Sequence, residues 1–175
     1  MYKAAARALI RRNIRQLNEG RYQPALAMFA PDAELTFPGQ NSWSRQHRVP
    51  RGGRAPDATH RGRDEIESFL QRYVELGIQM EVEDILVNGP PWNMRAAVRV
   101  RDWIPGASRD VYANRAVLMV RVVWGKIRSQ EDYEDTERTS ALDLGYSVMP
   151  VPRGSEGETT GLDASALATP IGSAD

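Results

Sequence analysis

The sequence predicts an α+β fold, and three observations carry that prediction. Helical periodicity dominates the first half of the chain, and strand-like alternation dominates the second. A Gly125-Lys126 pair then sits between two strand-like runs, as a hairpin turn would. Helices grouped ahead of antiparallel strands define α+β rather than alternating α/β architecture.

Ala4 to Asn18 places Ala5, Leu9, Ile10, Ile14 and Leu17 on one side at helical spacing, with arginines over much of the other, which predicts an amphipathic helix. Asn18-Glu19-Gly20 ends it, glycine supplying the left-handed C-terminal conformation. A short helix is expected next, with Ala25, Leu26, Met28 and Phe29 inward, until Pro31. Glu34 to Phe37 then reads as a short strand stopped by Pro38-Gly39.

Residues 40–63 show no periodicity and are rich in Arg, Gly, Pro and Ser, so the prediction is a long loop. Its arginines (Arg45, Arg48, Arg51, Arg54, Arg61, Arg63) read as a solvated basic insertion, with anion binding the alternative. Asp64 to Gly77 is the clearest helix, because Ile66, Phe69, Leu70, Tyr73 and Val74 recur at i, i+3, i+4, i+7 and i+8. Four antiparallel strands are predicted after it: Met80 to Val87, Met94 to Trp103, Val111 to Trp124 and Ile127 to Thr139. From residue 145 onward the composition turns to Pro, Gly, Ser, Thr and Ala, which predicts an extended tail over 145–175 behind a domain of residues 1–144.

Composition bounds the function. With 41% hydrophobic and 26% charged residues and a formal net charge of +0, the balance does not favour nucleic acid or a membrane surface. Cysteine is absent, which excludes disulfides and thiolate chemistry and fits a cytoplasmic protein. Arg7, Arg11 and Arg12 interrupt the opening apolar residues, unlike a signal peptide. The two histidines, His47 and His60, lack metal-ligand spacing, and no phosphate-binding or dinucleotide fingerprint occurs, so neither metal nor cofactor is expected.

The strand faces suggest a pocket. If Gly125-Lys126 is the turn, Trp124 pairs with Ile127. One face then carries Trp124, Val122, Val120, Leu118, Ala116, Ile127 and Tyr133, ending at Asp135 and Asn114. On the preceding strand Ala96, Val98 and Val100 share a face with Asp102. An inward Asp102 either acts as a general acid or base with a raised pKa, or pairs with an arginine as a structural group. A bulge in the last strand would turn Asp132 inward in place of Asp135.

The order of elements, with Leu17-Asn18-Glu19-Gly20-Arg21, Phe29-Ala30-Pro31-Asp32-Ala33-Glu34, His60 to Ile66, Trp124 to Ile127 and Tyr133 to Thr136, resembles the nuclear transport factor 2-like superfamily, especially its SnoaL-like branch. The resemblance implies a cystatin-like α+β cone, a curved sheet wrapped around the helices with one pocket, frequently dimeric through the sheet. It further implies cofactor-independent cyclase, isomerase or epoxide hydrolase chemistry on a small apolar molecule, or plain ligand binding on the same fold. Steroid isomerases place a tyrosine where this chain has Asn13 and a base aspartate where it has Phe37. Epoxide hydrolases pair an arginine with an acid where Arg115 is followed by Val117, and keep a second acid near Asp132. A SnoaL-like cyclase would use Asp135 as its acid–base residue, Tyr133 as a wall or donor, and Trp43, His60 and Trp103 at the mouth.

Overall fold

The computed structural model describes residues 1–38, 57–106 and 112–143. Helix α1 spans Tyr2–Asn18 and α2 Gln23–Leu26; strands β1 and β2 follow at Phe29–Pro38 and Asp57–Arg61. Helix α3 covers Gly62–Glu75. Strands β3 (Gln79–Asn88), β4 (Asn93–Ile104), β5 (Tyr112–Val123) and β6 (Lys126–Glu134) lead to helix α4 at Thr136–Asp143.

The six strands form one curved, unclosed sheet in the order β2-β1-β6-β5-β4-β3. The pairings are antiparallel except at β1–β6, which run parallel. Apolar side chains line the concave side in two groups. Ala33, Leu35 and Phe37 of β1 pack with Ile66, Phe69, Leu70 and Tyr73 of α3. Ile85, Val98, Val100 and Ala116 pack with Ile14 of α1. The space between these groups is the cavity described below.

Each helix owes its place to identifiable residues. The i, i+3, i+4, i+7 stripe on α3 is buried as the periodicity predicts. In α1 only Ile14 is buried, and Ala6 rather than Ala5 faces inward. The C-terminal end of α1 is tied to β3 by Asn18, whose amide donates to the Met80 carbonyl at 2.9 Å while its Oδ1 accepts the Met80 N–H at 2.9 Å. That is the bond pattern of a neighbouring strand, supplied by one side chain.

Four expectations are corrected. The helix predicted to reach Pro31 stops at Leu26, because Phe29 is already in β1; Pro31 is tolerated there because the β1–β6 register breaks between Phe29 and Glu34. The long loop contains β2, in which Thr59 and His60 are buried against β1. The last strand ends at Glu134 instead of Thr139, since Asp135 Oδ1 accepts the N–H groups of Glu137 at 3.1 Å and Arg138 at 3.4 Å and so starts α4. The hairpin turn is Trp124-Gly125, not Gly125-Lys126: both have positive φ, 50° and 76°, and Val123 pairs with Lys126. Trp43, four of the loop arginines and the 145–175 tail lie outside the described residues.

Candidate functional site

Moving the turn by one residue does not change which face a β6 side chain takes, because both partners shift together. A bulge does change it. Val122 pairs with Ile127 but Arg121 pairs with Ser129, so Arg128 is an extra residue. Beyond it Val120 faces Gln130, Leu118 faces Asp132 and Ala116 faces Glu134. Because side chains alternate along a strand, one inserted residue turns Gln130, Asp132 and Glu134 to the concave side and Tyr133 and Asp135 away from it.

The cavity has a volume of about 330 Å³, at the small end for ligand pockets. Ala6, Leu9, Ile10 and Asn13 of α1 form one wall. Met94, Ala96, Val98, Leu118 and Val120 of the sheet face them, with Phe29, Phe69 and Tyr73 to the side. Among the described residues lining it, Asp132 is the only carboxylate, and no lysine, arginine or histidine is present.

Asp132 is buried, and the Gln130 amide donates to both of its oxygens, at 2.9 and 3.1 Å. Burial pushes its pKa up to about 7; the Gln130 bonds oppose the shift and the Asp102 charge adds to it. Asp102 is also buried, with Oδ1 lacking a hydrogen-bond partner among the described residues. Its carboxyl is pushed up to about 6 by burial, against the lowering effects of its own backbone and Arg101. Arg101, on the opposite strand face, places its guanidinium 4.9 Å from the centre of the Trp103 ring.

Tyr73 connects these carboxylates to the cavity. Its hydroxyl is buried without a hydrogen-bond partner among the described residues. Burial raises its pKa first, and the charges of Asp102, Asp132 and Glu134 raise it further, so the phenol stays protonated. Behind it the fully buried Asn114 donates to Tyr112 Oη at 2.8 Å and to the Asp135 carbonyl at 3.1 Å. Asn114 thus ties β5 to the start of α4 and does not line the cavity.

The remaining predicted residues divide sharply. Asn13 and Asp132 line the cavity, and Asp102 adjoins it. Phe37 and His60 are buried in the core, with centroids 5.0 and 5.5 Å from Phe69. Phe37 faces inward as β1 alternation requires, yet Phe69 stands between it and the open space. Trp103 belongs to the convex face with Arg101, and Tyr133 is 48% exposed there, its hydroxyl donating to Glu131 at 2.7 Å. Asp135 has half its side chain exposed, caps α4 and pairs with Arg138 at 3.3 Å. The periodicity marks Tyr73 only as part of the buried stripe of α3, and nothing in the sequence singles out Gln130. The signal for Tyr73 is a phenol on a wholly apolar stripe, where the hydroxyl needs a polar neighbour.

Helices cradled by a curved sheet around one apolar cavity with a carboxylate on its wall define the cone-shaped α+β pocket proteins. The chain belongs to the SnoaL-like domain family, whose family model matches residues 10–130. Solved structures of the same fold include a nuclear transport factor 2-like protein of unknown function from Mesorhizobium loti, 23% identical, TM-score 0.52, covering 73% of this chain and 88% of that one. A putative ketosteroid isomerase from Kribbella flavida is 21% identical, TM-score 0.52, over 91% of this chain and 90% of its own. A cystatin-like protein from Methylobium petroleophilum is 19% identical, TM-score 0.55, over 87% and 97%. At these identities the likeness is one of fold. No curated protein matches the chain. No helix among the described residues is long and apolar enough to cross a membrane.

Proposed function

We propose that this protein is a cofactor-independent acid–base enzyme acting on a small apolar molecule with a carbonyl or epoxide oxygen, with Asp132 as the base. The single observation that supports this reading is Asp132 itself: a buried carboxylate in an apolar cavity, with its pKa pushed up to about 7. A base whose pKa lies near neutrality combines a useful ionised fraction with real proton affinity. Asp132 would take a proton from carbon beside the substrate carbonyl. The Tyr73 hydroxyl, protonated and lacking a partner among the described residues, would donate to the enolate oxygen that results. In an isomerisation the proton on Asp132 returns to another carbon of the enolate; in an aldol ring closure it goes to the alkoxide oxygen left by the attacked second carbonyl, so no external donor is needed.

The test is a thermal-shift and turnover screen of wild type, Asp132→Asn and Asp135→Asn against apolar ketones, epoxides and polycyclic carbonyls. Turnover by wild type and Asp135→Asn, with binding but no turnover by Asp132→Asn, is the expected result. Ligands that stabilise all three proteins without turnover would instead favour a non-catalytic binding module.

The convex side of the sheet favours a second copy of the chain as partner. Leu86, Met119 and Tyr133 are exposed on it, flanked by Arg95, Arg99 and Arg121 and by Glu83 and Glu131. Sedimentation should give a dimer that Met119→Glu dissociates.

A further inference from the structure

The inward carboxylates carry an implication beyond acid–base chemistry. Asp102, Asp132 and Glu134 occupy the concave face of neighbouring rows, opposite Asn114, Leu118 and Ala116 of β5 respectively. Of the three, Asp132 lines the cavity beside Tyr73, and the charge of Asp102 acts on both of them. Among the described residues lining the cavity there is no cationic side chain to answer Asp132. Arg101, over Trp103 on the opposite face of β4, lowers the pKa of Asp102 but does not line the cavity. Two of the buried polar atoms, Asp102 Oδ1 and Tyr73 Oη, have no hydrogen-bond partner among the described residues. Burying carboxylates in this way costs free energy unless something pairs with them.

We infer that the floor of the cavity is a binding site for a lipophilic amine in its protonated form. The ammonium group donates to Asp132 and sits in the field of Asp102. The rings of Tyr73, Phe69 and Phe29, which line the same space, offer faces to a cation. The hydrocarbon part runs toward the mouth between Ile10 and Leu9 of α1 and Val120 and Val122 of β5. An inorganic divalent cation fits less well, because among the described residues no three acidic or imidazole groups converge to hold one. Anions are excluded by the same charges that attract the amine.

This inference rests, like the function proposed above, on Asp132 facing the cavity, but not on Asp132 acting as a base. Its test uses three probes of equal chain length and different charge: octylamine, octan-1-ol and octanoate. At pH 8 wild type should bind octylamine at least about tenfold more tightly than octan-1-ol, the size of a charge-assisted hydrogen bond, and should not bind octanoate. Asp132→Asn should lose that preference and keep its octan-1-ol affinity, while Asp135→Asn should retain both. Equal affinities in wild type, or a preference that survives Asp132→Asn, would overturn the inference.

If Asp132→Asn does not fold, pH gives the answer in wild type. Asp132 is faced by Gln130 and Glu134 from its own strand, Asp102 from β4 and Tyr73 from α3, with Arg101 acting on Asp102 from the other face of β4. Asp132 and Asp102, pushed up to about 7 and about 6, are largely protonated at pH 5, so the amine preference should vanish there. A preference unchanged between pH 5 and pH 8 would also overturn it. Turnover without amine preference fails this inference alone, whereas amine preference without turnover fails only the acid–base reading.

Discussion

Leu118 and Asp132 are direct partners across β5 and β6, so a carboxylate stands where the apolar concave face would otherwise continue. Its burial has a definite energetic sign. The folded-state pKa of Asp132, about 7, lies above its ordinary value of 3.8. Folding therefore favours the protonated form. The stability is fully present below about pH 4 and is lost as pH rises toward 7.

Asp132→Asn should accordingly stabilise the protein at pH 8, by on the order of 2–4 kcal/mol, and the gain should shrink toward pH 4. Urea denaturation of both proteins at three pH values checks the slope. A variant less stable than wild type at pH 8 would mean that the ionised carboxylate is held favourably.

Asp135→Ala removes the cap of α4, a loss of about 1 kcal/mol. Ligand binding in the cavity should be unchanged, because Asp135 points away from it. Thermal denaturation alongside a ligand titration separates the two effects.

Phe69→Ala should cost roughly 3–5 kcal/mol, since the ring is buried between Phe37, His60 and Tyr73. Part of its surface borders the cavity, so the variant should also admit bulkier ligands. A loss below about 1 kcal/mol in chemical denaturation would contradict the packing described here.

Trp124 holds φ at 50° in the β5–β6 turn and is 80% exposed. Asparagine tolerates that conformation better and burial of the indole is slight, so Trp124→Asn should stabilise by about 0.5–1 kcal/mol. The midpoint of denaturation, with an unchanged slope, reads the effect.

The helical stripe of α3 and the apolar faces of β4 and β5 were legible because each follows a single period without interruption. The face of β6 was not, because the bulge at Arg128 leaves no mark in composition: arginine is as ordinary at a bulge as anywhere on an exposed strand. That one residue moved the candidate carboxylate from Asp135 to Asp132. β2 escaped notice because Asp57 to Arg61 is short and lies against an arginine-rich stretch, its strand character coming from pairing with β1. α4 was hidden by reading Asp135-Thr136-Glu137-Arg138 as strand, although an aspartate ahead of Thr and Glu is a helix-start signal. Asn13, pointed to by the resemblance and not by the periodicity of α1, lines the cavity.

The parallel seam between β1 and β6 sets the order in which the pocket can assemble. β3 to β6 pair each with the next in sequence and can do so by successive local steps, whereas Glu34 must find Ser129 across most of the domain. Pulse-labelled exchange during refolding should protect β4 and β5 amides before those of β1. The wall bearing Phe29 then arrives last, and a nascent or partly unfolded chain exposes Asp132 to water, where its carboxyl ionises normally. The unusual acidity of the site is thus a property that exists only once the two distant stretches of chain have met.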